Sequence, residues 1–168
     1  TELALDTALS SEQREYLELA QTSAKSLMRL LNEILDLSRI KAGKLEILSE
    51  PFNIRALAAD VQDLFRSEAE SRVLDFAVEV SGDIPEEAWS DVGRVRQILI
   101  NLLGNAFKFT ESGRVWLNVS GNEGQPGSAE LCFEVGDTGP GISPELRKVV
   151  FEAFVQGDGS LRRRRGGT

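Results

Sequence analysis

The sequence predicts an α+β fold, a helical hairpin leading into an α/β sandwich with helices on one face of an antiparallel sheet. Three observations carry this. Residues 11 to 41 hold a long apolar seam in steps of four and three. Two later segments, 54 to 69 and 92 to 109, repeat the helical period. Around them, three segments alternate apolar and polar residues with the period of two that marks half-buried strands.

In the first helix the seam is Tyr16, Ala20, Ser23, Leu27, Leu30, Ile34 and Leu37, widened by Leu31 and Leu35. Ser10 or Ser11 suits the N-cap, and Gly43 ends the pattern. Residues 1 to 8 read as the last turns of a preceding helix, so the hairpin is expected to be partial, its seam covered when two chains form a four-helix bundle. Lys41 to Pro51 is a charged connector. Ile54 to Ala69 follows as a helix with Leu57, Val61, Leu64 and Phe65 on its apolar side, then a strand over Leu74 to Val80. Val92 to Phe109 is helical, with Val95, Ile98, Leu99, Leu102, Leu103 and Ala106 as its core stripe. Val115, Leu117 and Val119 alternate, as do Leu131, Phe133 and Val135, and a Gly/Pro/Ser-rich loop from Gly121 to Ser128 joins the two strands as a hairpin.

The 168 residues, 41% of them apolar, suffice for one domain and an accessory element. A formal net charge of −8 repels phosphate backbones and speaks against nucleic acid as a partner. The opposing feature is the run Arg162 to Arg165, either a solvated tail or an anion contact. There is no histidine, which excludes Ser-His-Asp and Cys-His catalysis and His-ligated zinc within the chain. Cys132 is the single cysteine, so no internal disulfide forms; its apolar strand predicts a buried, inert thiol. No apolar run approaches the roughly 18 residues of a membrane span.

Chemistry concentrates in two places. Arg94, Gln97, Asn101, Asn105 and Lys108 line one face of the 92–109 helix. Asn101, Gly104 and Asn105 are poor helix formers, costing roughly 0.5 to 1 kcal/mol each relative to Ala. Such local violations gather where a site requires them, although a polar helix face is also what solvent selects. The Asn105 amide oxygen suits a hard cation such as Mg²⁺, and Lys108 suits a phosphate. The second place is Asp137-Thr138-Gly139-Pro140-Gly141-Ile142, where a strand ends in a carboxylate followed by two glycines. A carboxylate there can accept a hydrogen bond from an exocyclic amine, and glycines allow a close ligand approach. An ordinary strand-to-helix turn, with Ser143 as N-cap and Pro144 at the first helical position, explains the same residues. Asp-Thr-Gly also opens the catalytic loop of aspartic proteases, but those need two such aspartates, and this chain holds one copy with a dissimilar flank.

Order and spacing together are more specific. Arg94 to Thr110 resembles the N box of sensor histidine kinases, Asp137 to Ile142 their G1 box, Phe151 to Gln156 their F box, and Gly166-Gly167-Thr168 the opening of their G2 box. Glu33 to Leu45 is similar to their second dimerisation helix and its exit. The resemblance covers essentially the whole chain and is nearest to the hybrid subgroup. It implies a histidine-kinase-like ATPase sandwich of the GHKL (Bergerat) type over residues 44–168, after a partial dimerisation and phosphotransfer hairpin over 1–43.

The resemblance also implies roles. ATP and Mg²⁺ would be bound, with Asn105 as metal ligand, Asn101 in the same cluster, Lys108 on phosphate and Phe109 packing near the nucleotide. Asp137 would bind the adenine amino group, Gly139 and Gly141 would shape the pocket floor, Phe154 and the arginine run would fall in the ATP lid, and Ile142 and Gly167 would also bind the nucleotide. No residue of the chain is assigned as catalytic. The implied activity is ATP-dependent autophosphorylation on histidine, then transfer to an aspartate of a response regulator receiver domain. The implied partners are that receiver and a second copy of the chain. The phospho-accepting histidine is expected upstream of Thr1, and the rest of the G2 box beyond Thr168. The setting is a cytoplasmic domain of an inner-membrane-anchored bacterial sensor, the membrane being met through other segments. Ser90 and Arg165 depart from the family, which usually has Gly and an aromatic there. A scaffold that dimerises without turnover is the rival reading, disfavoured by Asn105, Lys108 and Asp137. Chaperone and topoisomerase ATPases usually carry a glutamate base where Asn101 stands.

Overall fold

The computed structural model describes Ala4, Thr7 and residues 9–123 and 129–148. The chain divides at Ile47/Leu48 into two compact units.

The first unit is built on α1 (Ser11–Lys41). Ser10 is its N-cap, its hydroxyl accepting from the Gln13 amide while the Gln13 side chain reaches back to the Ser10 amide, a reciprocal capping box. Ala42 caps the C-terminus, and Gly43 follows with a positive φ of 64°. Tyr16, Leu27, Leu30, Leu31, Ile34 and Leu35 on the expected seam are all exposed. Of residues 1–8, Ala4 is helical and Thr7 lies in a bend; the others fall outside the described residues.

The second unit contains β1 (Glu50–Asn53), α2 (Ile54–Arg72), β2 (Asp75–Val80), β3 (Glu87–Ser90), α3 (Val92–Phe109), β4 (Arg114–Glu123), β5 (Ala129–Asp137) and the short α4 (Pro144–Arg147). β2, β4 and β5 form a three-stranded sheet in the order β2-β4-β5. Buried Val115, Leu117 and Val119 of β4 share one apolar core with Ile54, Leu57, Val61 and Phe65 of α2 and with Leu99, Leu103 and Phe107 of α3. Both helices therefore cover one face of the sheet. At its centre the Phe107 ring stacks on Phe65 at 5.1 Å and meets Phe76 edge-on at 5.2 Å.

Leu64, Ile98 and Leu102, expected on the apolar sides of their helices, are exposed, α2 runs past Ala69 to Arg72, and four further expectations are corrected. The sheet is mixed, because β2 pairs with β4 in parallel and only β4–β5 is antiparallel. A helix, α3, lies between β2 and β4, and such a crossover lets the chain return in the same direction. The 121–128 loop is shorter, since β4 runs to Glu123 and β5 starts at Ala129. A second, two-stranded sheet pairs β1 with β3, so the connector ends at Ser49 rather than Pro51. Cys132 is exposed, not buried, because Leu131, Phe133 and Val135 alternate inward and leave Cys132 and Glu134 on the outer face. No helix among the described residues is long and apolar enough to cross a membrane.

Candidate nucleotide site

The 92–109 helix has the limits its pattern predicts. Asp91 is its N-cap: Oδ1 accepts from the Arg94 amide at 3.0 Å, and Oδ2 accepts from the Leu48 amide at 3.2 Å. Those backbone hydrogen bonds stabilise the ionised form and hold the Asp91 carboxyl below its ordinary value, with the Arg94 amide the larger cause. One carboxylate thus ties the start of the second unit to the start of α3.

Burial sorts the faces of α3. Leu99, Leu103, Ala106 and Phe107 are buried; Asn101, Asn105, Lys108 and Phe109 are exposed. Asn101, Asn105 and Lys108 fall four and three residues apart, hence on one stripe. Neither asparagine amide is hydrogen-bonded to a described residue, so each keeps its oxygen available. The Lys108 ammonium sits 5.2 Å from the centroid of the Phe109 ring, which is itself 56% exposed. This places a cation beside an open aromatic face at the end of the polar stripe.

The other half of the site starts at Asp137, the last residue of β5. Its Oδ1 accepts from the Gly139 amide at 2.7 Å and from the Thr110 hydroxyl at 3.4 Å. Oδ2 has no hydrogen bond among the described residues and can accept from an exocyclic amine. Thr110, the C-cap of α3, is fully buried. Thr110 is therefore the physical joint between the helix stripe and the aspartate turn. A Cβ on Gly139 would come within 2.7 Å of Asp137 Oδ1, 3.1 Å of the Phe109 carbonyl and 3.2 Å of Thr110 Oγ1, so no other residue fits there without moving the joint. Gly141 is needed for a different reason, its φ of +71°. Ile142 is exposed beyond it, and Ser143 caps α4 with Pro144 at the first helical turn, as the ordinary-turn reading also expects.

The structure brings Phe109, Thr110, Asp137 and Gly139 together and aligns Asn101, Asn105 and Lys108 on the adjoining helix. Phe154, Gly167 and the arginine run lie outside the described residues. Among the described residues no group of three or more acidic, Cys or His side chains could hold a metal, so a cation here would rest on Asn105 and on its ligand's own oxygens. Sequence reasoning gave Thr110 and Thr138 no roles. Thr138 donates its amide to the Arg114 carbonyl at 3.0 Å and accepts the Arg114 amide at its hydroxyl at 2.9 Å. A hydroxyl at a helix C-cap and another after a strand-ending aspartate were the available signals.

Residues 1–43 match the His Kinase A (phospho-acceptor) domain, and residues 90–168 match the family described as histidine kinase-, DNA gyrase B- and HSP90-like ATPase. The chain is 41% identical over 169 residues to the sensory/regulatory protein RpfC of Xanthomonas campestris pv. campestris, covering 100% of this chain and 23% of that protein. It is 35% identical over 168 residues to the signal transduction histidine-protein kinase BarA of Escherichia coli, covering 100% of this chain and 18% of BarA. Among solved structures it is similar to full-length ShkA in complex with AMPPNP, with a TM-score of 0.74 and 39% identity over 90% of this chain and 32% of that one. The chain thus spans less than a quarter of the length of these curated relatives. With both domain matches in their expected order and whole-chain similarity to these relatives, the chain belongs to the sensor histidine kinases.

Proposed function

We propose that the chain supplies the dimerisation helix and the ATP-binding kinase core of a hybrid-type two-component sensor. That sensor autophosphorylates on a histidine and passes the phosphoryl group to an aspartate of a response regulator receiver domain. The observation that supports this is the Thr110–Asp137–Gly139 joint, which ties a carboxylate with one oxygen free of hydrogen bonds among the described residues to the end of the helix that carries Phe109 and the Asn101–Asn105–Lys108 stripe. A complex of ShkA with AMPPNP supports the choice of nucleotide.

In this reading Asp137 Oδ2 accepts a hydrogen bond from the adenine amino group, Gly139 and Gly141 shape the pocket floor, and Ile142 contacts the nucleotide. Phe109 packs near the nucleotide and Lys108 meets phosphate oxygens as a point charge. Asn105 offers its amide oxygen to Mg²⁺, with Asn101 one turn away in support. Mg²⁺, when bound, would neutralise phosphate charge and favour in-line transfer. Phe154, Gly167 and the arginine run contribute the lid. Residues 1–43 form part of the dimerisation and phosphotransfer hairpin and 44–168 the catalytic domain. The exposed α1 seam supports a homodimer completed as a helical bundle. The net charge of −8 argues against nucleic acid as a partner. The assembly works in the cytoplasm, with any membrane anchor in other segments of the protein.

The test is label transfer from γ-labelled ATP in a protein containing this chain and the phospho-accepting histidine. Labelling should require Mg²⁺ and disappear in Asn105→Ala. A folded protein that takes up no label would replace the kinase reading with that of a dimerising scaffold.

A further inference from the structure

Helix C-termini leave their last carbonyls without intrahelical partners, and the end of α3 is where the proposed site is built. Two carbonyls there, of Phe107 and Thr110, are held by one side chain. Arg72, in the last turn of α2, donates Nη1 to the Phe107 carbonyl and Nη2 to the Thr110 carbonyl at 2.8 Å. Its Nη1 also lies 3.5 Å from Glu68 Oε1, one turn earlier. The guanidinium is part-buried, with the side chain 31% exposed, and its charge sits at the negative end of the α3 dipole.

The residues between those two carbonyls are Lys108 and Phe109, which point outward. Thr110 turns its hydroxyl to Asp137, and the Phe109 carbonyl lies against Gly139. The chain is gripped again just beyond, where the Asp75 amide donates to the Gly113 carbonyl at 3.0 Å. The end of α2 and the start of β2 thus both hold the turn that follows α3.

We infer that Arg72 is a positioning residue for the nucleotide site, fixing Lys108, Phe109 and Thr110 in the arrangement that binds; this rests on the nucleotide reading above. Arg72 bonds none of Asn105, Lys108 and Asp137, so it acts only through the turn. Two donors in one rigid plane set the spacing of two carbonyls, which a lysine cannot reproduce. Losing them leaves the carbonyls of Phe107 and Thr110, both wholly buried residues, without this donor, so the turn relaxes and the binding geometry loosens with it.

The test compares Arg72→Gln, Arg72→Lys and Asp60→Asn in this chain, each below its melting temperature. Asp60→Asn breaks the exposed Arg96–Asp60 pair at 2.8 Å, loosening α2 from α3 without touching the turn. With Mg²⁺ and AMPPNP as the probe, Arg72→Gln should weaken binding roughly tenfold, the scale of one lost charge-assisted hydrogen bond. Arg72→Lys should recover only part of that loss, and Asp60→Asn should leave affinity within about twofold. The Thr110 and Gly139 amide resonances should shift in Arg72→Gln and not in Asp60→Asn. Unchanged affinity and unmoved resonances in Arg72→Gln would overturn the inference, as would full rescue by lysine. Failure of the unaltered chain to bind the analogue would instead strike the nucleotide reading, while the resonances would still decide whether Arg72 holds the turn.

Discussion

Replacing Val73 with glycine should stabilise the protein. α2 ends at Arg72, and Val73 follows in the left-handed region at φ 53°, ψ 41°. The Leu74 amide donates to the Ala69 carbonyl at 3.0 Å and the Val73 amide to the Glu70 carbonyl at 3.2 Å, the bonding pattern of a Schellman stop that glycine usually fills. An L-residue in this region costs about 1–2 kcal/mol, and a β-branched one is least suited to it. Val73 is 88% exposed, so little is lost by deleting its side chain, about 0.3 kcal/mol at most. Glycine's greater freedom in the unfolded chain takes back about 0.4–1 kcal/mol. The balance is a gain of about 0.5–1 kcal/mol, read in calorimetry as a midpoint raised by about 2–5 °C for a unit of this size. Val73→Ala keeps the left-handed penalty and should gain much less. Equal midpoints for the two variants, or a fall in Val73→Gly, would refute the assignment of backbone strain to this residue.

Further outcomes follow from the same geometry. Gly139→Ala, whose new methyl would crowd Asp137, Phe109 and Thr110, should weaken AMPPNP binding roughly tenfold or more, read by titration calorimetry. Gly104→Ala should raise stability in urea by about 1 kcal/mol, because a Cβ there meets nothing within 4 Å and alanine is the better helix former. Phe107→Ala should cost about 3–5 kcal/mol in the same assay, since its ring is wholly buried between Phe65 and Phe76. The Asp91 carboxyl is held below its ordinary value, so its contribution is present above the unfolded carboxylate pKa and lost as pH falls through the folded one. Melting curves taken down to acid pH should show Asp91→Asn less stable than the parent near neutrality, and the gap closing in that acid window.

Most of the site was legible because its chemistry runs against local preference. Asparagine and glycine inside α3, and two glycines after a strand-ending aspartate, stand out from any background of propensity. What escaped depends on pairing across distance. β1 and β3 are four residues each and meet antiparallel across the whole of α2 and β2, so neither carries a pattern of its own. The last turn of α2 was missed because its stop is Val73, where sequence reasoning looks for glycine. Arg72 looked like an ordinary basic residue at a helix end, and its two acceptors lie 35 and 38 positions away. Cys132 was misread because apolar neighbours on a strand bury alternate positions only.

The distribution of cost along α3 explains how the helix tolerates its own site. Its outer stripe of Asn101 and Asn105, with Gly104 beside them, lowers helix propensity over two turns, a deficit of roughly 2 kcal/mol summed over the three. The inner side offsets it: Leu99, Leu103, Ala106 and Phe107 are all buried, and burying one large apolar side chain contributes about 1.5–3 kcal/mol. Both ends are fastened as well, by Asp91 at the N-terminus and by Arg72 at the C-terminus. A helix held by its back and its ends can leave the amides of Asn101 and Asn105 open on its front. That freedom is what a ligand site requires, and the wholly buried Phe107 anchors the same helix from within.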